Sequence, residues 1–307
     1  MKTPEPSFWV NVDVTNPGQF FACCGLLELA HRLWRGAEGW FCSNTPAFAI
    51  AGGNKAPASL NDLISELFKV DISGLSAADR QEMEALEAER KRLKKQNQKL
   101  PPEKESRRKQ LGTEVRKGNI QIGQPFDLIL NWWQTGDDGP ASPKTWAGLQ
   151  ELHKIARAAQ DALPTAGDAQ TLFDHSRVLR RPKEYTKNDR QQDDPVAPFY
   201  FDARRCAHPL DAGFSLDVQK AETYAHPAVE LLSLIGLQRF RPAPSSAKWS
   251  FEYWTWSQPL SAPVAAGIAC GAVPISGRQG YRFPLRFRDN QKRYKAFSFA
   301  TQIGDDT

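Results

Sequence analysis

Basic and apolar side chains alternate near the end of the sequence. Between residues 282 and 288, Phe, Leu and Phe fill the odd positions, and three even positions hold arginines: Arg282, Arg286 and Arg288. Successive side chains of a β-strand point to opposite faces of its sheet. The spacing therefore predicts a strand whose apolar face joins the core and whose arginines lie on the open face.

The residues that follow predict a hairpin with its turn centred on residues 290 and 291. In that register Arg288 lies opposite Arg293, and Arg286 lies opposite Lys295. Facing like charges destabilise a sheet by about 0.2–1 kcal/mol per pair, so four stacked bases are a candidate site for a neutralising polyanion. The alternative is a basic surface spread into solvent, because a turn one residue longer would change the register.

Two other places in the sequence carry side chains suited to nucleic acid. Arg204 and Arg205 follow an aromatic stretch and could clamp a phosphate backbone, because the guanidinium fork matches phosphate. Lys144 and Gln150 flank Trp146 at the predicted start of a helix, where lysine suits a phosphate and glutamine suits a base edge. The arginines could equally pair with acids.

The loop before the first helix is a weaker candidate for anion binding. Asn16 and Gln19 bound a short turn that leads into an apolar helical run, and the free N–H groups of a helix start can hold an anion. The turn lacks the glycine spacing of a dinucleotide-binding motif. No GxxxxGK[ST] pattern occurs in the sequence, so no nucleotide cofactor is predicted.

The inventory of catalytic motifs is poor. The five histidines show no HExxH spacing and no GxSxG turn is present, so we predict that the chain is not an enzyme. Five cysteines without a CxxC pair predict neither a zinc cluster nor a disulfide framework. A metal-dependent nuclease built on Asp202, His208 and Asp211 stays open as an alternative.

The net charge is concentrated in one segment. Residues 76–117 contain 13 Lys or Arg and 8 Asp or Glu, so this segment holds the whole net charge of +5. Local basic fields on a nearly neutral body suit a polyanion such as nucleic acid better than a small substrate. A solvated face, with a structural or partner-docking role, is the alternative for this segment.

Helical and strand patterns are mixed along the chain, which predicts an α+β fold of mixed sheets and packed helices. We divide the chain into an N-terminal α+β part (residues 1–75), a protruding charged helical hairpin (76–118) and a C-terminal α+β part (119–307). The first and last parts could form one continuous domain. Within the hairpin, Ser76 and Asp79 predict a capped helix start, and the prolines at 101 and 102 separate its two helices.

The C-terminal part shows the same mixture. Strands are predicted at 125–133, 199–202 and 249–256, helices at 144–163, 227–240 and 262–273, and a flexible loop at 180–196. No stretch approaches the ~20 apolar residues that a bilayer helix needs. The N-terminus lacks a basic start followed by an apolar run, so we expect a cytoplasmic protein without membrane contact.

Five stretches together resemble a known protein family. They are NVDVTNPGQFFACCGLLELAHRLW, KTWAGLQ after an NWW sequence, FYFDARR, PAVELLSLIGLQRFRP and YRFPLRFRDNQKRYKAFSF. They are similar to the compact large-subunit-like protein of subtype I-G (formerly I-U) CRISPR-associated interference complexes. The matching stretches span nearly the whole chain apart from the charged hairpin and the loop at 180–196.

The resemblance implies a non-catalytic subunit of a crRNA-guided surveillance complex that serves antiviral defence. In such complexes guide pairing reads the target sequence, and protein reads a short flanking motif on double-stranded DNA. The implied partners are crRNA, target DNA, the other subunits and the helicase-nuclease that cuts. A scaffold subunit without direct DNA reading is the alternative within this class.

Overall fold

A computed structural model describes residues 4–53, 58–134, 143–146, 150–164, 169–182, 194–205 and 222–304. Within these ranges seven α-helices and several small antiparallel sheets confirm the predicted α+β fold. The helices are α1 (Pro17–Leu33), α2 (Leu60–Lys69), α3 (Ala77–Lys95), α4 (Pro102–Lys117), α5 (Leu152–Asp161), α6 (Pro227–Arg239) and α7 (Ala262–Ala269). None of these described helices has both the length and the apolar character needed to cross a membrane.

The described strands are short. They are β1 (Phe8–Asn11), β2 (Glu38–Phe41), β3 (Ala47–Ala51), β4 (Ile72–Ser73), β5 (Ile120–Ile122), β6 (Leu128–Leu130), β7 (Arg177–Val178), β8 (Tyr224–Ala225), β9 (Ala243–Pro244), β10 (Ser250–Thr255), β11 (Gln279–Phe287), β12 (Lys295–Phe297) and β13 (Thr301–Gln302). The main sheets have the orders β1-β3-β2, β4-β5-β6 and β12-β11-β10-β9, with β13 also pairing with β11.

Helices α1 and α6 form the centre of the molecule. Both carry apolar residues on all sides and are buried along most of their length, as expected of helices inside a core. Two glycines let their backbones touch: a Cβ on Gly25 would lie 2.1 Å from the Leu232 carbonyl oxygen, and one on Gly236 would lie 2.1 Å from the Phe21 carbonyl oxygen. The two sequence halves therefore meet at a contact that larger side chains would prevent.

The main sheets pack against this helix pair. Phe20 of α1 stacks on Tyr253 of β10 with ring centroids 4.2 Å apart, and its edge meets Trp256 at 6.3 Å. The resulting apolar core contains residues from both ends of the chain, from Phe8 to Ala300. The N-terminal and C-terminal parts of the sequence thus contribute to one core.

Several predicted elements differ in the structure. The strand predicted at 125–133 is shortened to β6 and followed by a 3-10 helix (Trp132–Gln134), because the Gln238 side chain accepts the N–H groups of Asn131 and Trp132. The segment 199–202 is not a described strand, since the N–H groups of Phe201 and Asp202 bind the Glu230 carboxylate. The helix predicted at 262–273 ends at Ala269.

The helix predicted at 144–163 begins later, at Leu152. Trp146 instead packs its ring against Trp132 and Phe199, at centroid distances of 5.4 and 5.3 Å. Burial of this indole in an aromatic group fixes the backbone at 143–146 in a non-helical form. Residues 147–149 lie outside the described ranges, as do residues 183–193 of the loop predicted at 180–196.

Helices α3 and α4 follow each other in the charged segment. The Ser76 side chain accepts the N–H of Asp79 and caps α3, as predicted, and α4 begins at Pro102. A small apolar cluster joins the two helices and is separate from the main core; its buried members are Leu75, Leu86, Leu100 and Leu111. We refer to α3 and α4 together as the charged helix pair.

Candidate nucleic-acid interface

The register of the C-terminal hairpin differs from the predicted one. Strands β11 and β12 pair Arg286 with Ala296 and Phe287 with Lys295, and the Arg288 N–H donates to the Tyr294 carbonyl. The turn is one residue longer than predicted, because the Asp289 carboxylate accepts the N–H groups of both Arg293 and Tyr294. The prediction that four bases face one another across the hairpin is therefore wrong.

Arg288 lies inside the protein. It is only 5% exposed, its guanidinium carbon is 3.5 Å from the centre of the Tyr200 ring, and its Nε donates to the Lys295 carbonyl. Because the Arg288 guanidinium stacks on the ring of Tyr200, it holds the hairpin against the segment 199–202. The prediction that Arg288 lies on an open face is wrong, and so is the same prediction for Lys295, which is only 8% exposed.

Two other predicted arginines pair with acids at the surface. Arg293 donates to Asp289 within the turn at 3.3 Å, and Arg282 donates to Glu252 on the neighbouring strand at 2.8 Å. Arg286 is exposed on β11. Ion pairs at a surface leave the side chains accessible, so these positions remain available to a partner but at the cost of an existing contact.

Lys144 and Lys295, which are distant in sequence, meet in the structure. The Lys295 N–H donates to the Thr145 carbonyl at 3.0 Å, and this brings Lys144 to the start of β12. Burial lowers the pKa of Lys295 below its ordinary value, and the neighbouring charge of Lys144 lowers it further. The Lys295 ammonium lies 5.0 Å from the Trp249 ring centre, and that of Lys144 lies 6.0 Å from the Trp146 ring centre.

Two exposed lysines extend this site. The ammonium of Lys248 is 5.7 Å from the Trp249 ring centre, and that of Lys292 is 5.8 Å from the Phe287 ring centre. The rings of Trp249 and Phe287 meet edge to face at 5.0 Å and are half-buried. We call this group the cation–aromatic cluster, with these members: Lys144, Lys248, Lys292, Lys295, Trp146, Trp249 and Phe287.

Sequence reasoning did not find Lys248 and Lys292. Their signal was available, since Lys248 directly precedes an aromatic strand and Lys292 lies in the hairpin turn. A lysine next to an exposed aromatic ring is a common arrangement for binding single-stranded nucleic acid, because the ring stacks on a base while the ammonium meets a phosphate. The correct turn length was needed to place both at one edge of the sheet.

The remaining duplex-contact candidates are only partly placed. Gln150 is half-buried and lies before the start of α5, whereas the helix predicted at 144–163 included both Gln150 and Lys144. Arg205 belongs to a 3-10 helix (Ala203–Arg205), and its side chain lies outside the described part of the structure. Arg204 binds Asp202 and also contacts Asp174 at 3.2 Å.

The start of α1 is occupied by the chain itself. Asn16 is fully buried, and its side-chain oxygen accepts the N–H groups of Gly18 and Ala203 while its amide donates to Asp202. The Gln19 side chain accepts the N–H of Asp13. The prediction of an external anion at Asn16 and Gln19 is therefore wrong, because these polar groups satisfy the protein's own backbone.

Asp202 is the centre of this buried polar network. Burial opposes its charge, yet hydrogen bonds from His226 and Arg204 hold the pKa of Asp202 well below its ordinary value. Of the proposed nuclease triad, His208 and Asp211 lie outside the described residues. Within the described ranges no group of three or more potential ligands could hold a metal ion.

Glu230 provides a pH-dependent prediction for this network. Burial, and after it the charge of Asp202, raises the pKa of Glu230 to about 8 from an ordinary 4.5. The folded state binds the Glu230 proton more tightly than the unfolded state does, so protonation of Glu230 stabilises the fold. This contribution is complete below the ordinary pKa and is lost as the pH rises through about 8. The substitution Glu230→Gln keeps the side chain neutral, so its free energy of unfolding relative to the wild type should increase from pH 5 to pH 9. Urea unfolding across this range measures the difference, and a difference that does not change with pH would contradict the assignment.

Comparison of the chain with protein-family models, with curated proteins and with solved structures finds no match in any of the three.

Proposed function

We propose that the chain is a non-catalytic subunit of a crRNA-guided type I CRISPR surveillance complex and that the cation–aromatic cluster contacts its nucleic acid. The sequence resemblance supports the class of complex. The cluster supports the contact, because it places lysines beside rings at one edge of the C-terminal sheet. The partners in this proposal are crRNA, target double-stranded DNA, the other subunits and the helicase-nuclease, in the cytoplasm.

The pairing of exposed Lys248 with the half-buried ring of Trp249 is the observation that carries the proposal. Within the described residues neither Lys248 nor Lys292 forms an ion pair, so no described acid holds these two ammonium groups. Base stacking on an aromatic side chain contributes roughly 1–3 kcal/mol per base and tolerates any sequence. The cluster therefore suits an unpaired strand, either the displaced DNA strand or the guide.

In this proposal the target sequence is read by base pairing with the guide RNA, and this subunit acts beside the paired region. It contacts the flanking motif on the duplex, helps to separate the strands and offers a surface to the helicase-nuclease. Lys144 belongs to the cluster and is assigned to a phosphate, while Gln150 is assigned to a base edge. Arg204 is assigned to its ion pairs with Asp202 and Asp174, and Arg205 keeps the proposed role of a backbone clamp.

Removing three ammonium groups tests the contact. The variant with Lys144→Ala, Lys248→Ala and Lys292→Ala should bind single-stranded DNA and RNA oligonucleotides more weakly, with a shallower dependence of affinity on salt. The slope of log affinity against log salt should fall by about 0.7 per lost phosphate contact, or about 2 in all. Fluorescence anisotropy at several salt concentrations measures both quantities.

A matched control removes three positive charges from other exposed positions: Arg35→Ala, Lys69→Ala and Arg177→Ala. This control variant should retain the affinity and the salt slope of the wild type. Equal affinity in all three proteins would remove the cluster from the site and favour the scaffold alternative. Cleavage of DNA by the purified chain with a divalent cation would favour the nuclease alternative.

A further inference from the structure

Charges are unevenly paired along the charged helix pair. At the end nearer the main core, Arg107 binds Asp79 and Glu82, and Arg80 binds Asp71. Farther along, Lys104 binds Glu89 and Arg108 binds Glu87 and Glu105. The pairs of Arg107, Lys104 and Arg108 with acids of α3 join the two helices in an antiparallel arrangement, and all of these contacts neutralise the bases that make them.

The opposite end, where the two helices are connected, carries bases of another kind. Residues 91–103 contain five Lys or Arg and a single acid, Glu103. Six exposed bases lie here or on the adjoining part of α4, and within the described residues no ion pair is recorded for any of them: Lys91, Arg92, Lys94, Lys95, Lys99 and Lys109. We call these six residues the basic tip.

The helix dipole explains only part of this arrangement. Lys94 and Lys95 lie in the last turn of α3, where cations are favoured by the dipole. Lys99 lies in the connection and Lys109 lies well inside α4, so neither gains from that effect. Lys94, Lys99 and Lys109 nevertheless line the same surface groove of about 580 Å³. Three separate pieces of chain thus direct positive charge to one concave surface.

The surroundings of the basic tip indicate which polyanion it fits. No Phe, Tyr, Trp or His occurs between Phe68 and Phe126, so no ring is available there to stack on an unpaired base. None of the described exposed large hydrophobic residues lies in the charged helix pair, whereas the centre of a protein interface is usually apolar and aromatic. Bases three or four residues apart on a helix form a row with steps of about 5–6 Å, which suits a linear chain of phosphates.

We propose that the basic tip binds the phosphate backbone of double-stranded DNA without reading bases. This inference deepens the proposed function, on which it rests for its biological setting, by assigning the duplex to the charged helix pair and the unpaired strand to the cation–aromatic cluster. The helix pair has its own apolar cluster, which is separate from the main core. Duplex binding by the tip is a property of the full chain and is measurable without the other subunits.

The test compares the full-length wild type with a tip variant carrying Lys94→Ala, Lys95→Ala and Lys99→Ala. The probe is a 30-base-pair DNA duplex of arbitrary sequence, with a single-stranded DNA and an RNA duplex of the same length as further probes. For duplex DNA the salt slope should become shallower by about 0.9 per lost contact, or about 2 to 3 in all. Affinity for the single strand should stay at the wild-type value.

Two controls make the outcome specific. The variant with arginine at the same three positions should retain duplex binding, because it keeps the charge, and the Arg35, Lys69 and Arg177 control variant should also retain it. No measurable binding of duplex DNA by the wild type would overturn the inference, as would an equal loss in the tip and control variants. Loss of binding to the RNA duplex alone would assign the tip to RNA and overturn the DNA assignment. Failure of the proposed function would be seen in a different measurement. The variant with Lys144→Ala, Lys248→Ala and Lys292→Ala would then bind single strands as tightly as the wild type does.

Discussion

Replacing Gly236 with alanine should destabilise the protein by about 3 kcal/mol or more, the upper end of the cost of forcing extra volume into a packed core. The new Cβ would lie 2.1 Å from the Phe21 carbonyl oxygen and 2.8 Å from the Gly25 nitrogen. Both atoms belong to the backbone of α1, which is buried, so neither can move away without separating the central helices. Chemical denaturation monitored by circular dichroism measures the loss.

Gly112 in α4 provides the matched control for this substitution. A Cβ there would have Met83 as its nearest neighbour, at 4.0 Å, so alanine fits without strain. Because alanine is the better helix former, Gly112→Ala should stabilise the protein by about 0.4–1 kcal/mol. Wild-type stability of Gly236→Ala would mean that α1 and α6 do not cross at these glycines.

Replacing Asp202 with asparagine should cost about 3–5 kcal/mol, the usual loss when one partner of a buried ion pair is removed. The fully buried carboxylate accepts hydrogen bonds from Asn16 and Arg204 and lies 2.8 Å from the Nδ1 atom of His226. Asparagine has no negative charge, and its amide group adds hydrogen-bond donors to a site that already contains those of Asn16, Arg204 and His226. The segment 199–205 would lose its attachment to the starts of α1 and α6.

Asp71→Asn is the control for this effect. Asp71 also pairs with an arginine, Arg80, but both side chains are exposed, so the loss should be within about 1 kcal/mol. Equal losses in the two variants, measured by urea unfolding, would show that the Asp202 network does not hold the fold. The comparison separates burial from the mere presence of an ion pair.

Local signals in the sequence were sufficient for many elements. The Ser76 cap of α3 and the start of α6 at residue 227 appear where the sequence predicts them. These signals depend on residues within a few positions of one another. The α+β fold follows from them, because long apolar helices and short strands alternate along the chain.

The candidate site was predictable only in part, because it depends on contacts between distant residues. Lys144 and Lys295 were both singled out, but their meeting requires the backbone hydrogen bond from Lys295 to Thr145. The hairpin register depends on one carboxylate, Asp289, whose two hydrogen bonds add a residue to the turn. Alternation alone cannot count turn residues, so it placed Arg288 on the open face although Tyr200 covers it.

For the basic tip, the composition of the sequence indicated the charged segment, but the structure was needed to show which of its bases are paired. The charge surplus of residues 76–117 is visible in the sequence. Which bases are already paired is not visible there, since the pairing partners lie up to 28 positions apart, as in Arg107 with Asp79. Among the bases of residues 76–115, whose side chains the structure describes, subtracting the paired ones leaves the six residues of the basic tip.

The most direct test of the central claim is ultraviolet crosslinking of the proposed surveillance complex, assembled with guide and target duplex, followed by mass spectrometric mapping of crosslinked peptides. The account predicts crosslinks from an unpaired strand to the peptides that contain Trp249 and Phe287, because these rings lie beside lysines at the sheet edge. A complex in which neither peptide crosslinks, and in which Lys248 and Lys292 instead contact acidic residues of a neighbouring subunit, would contradict it.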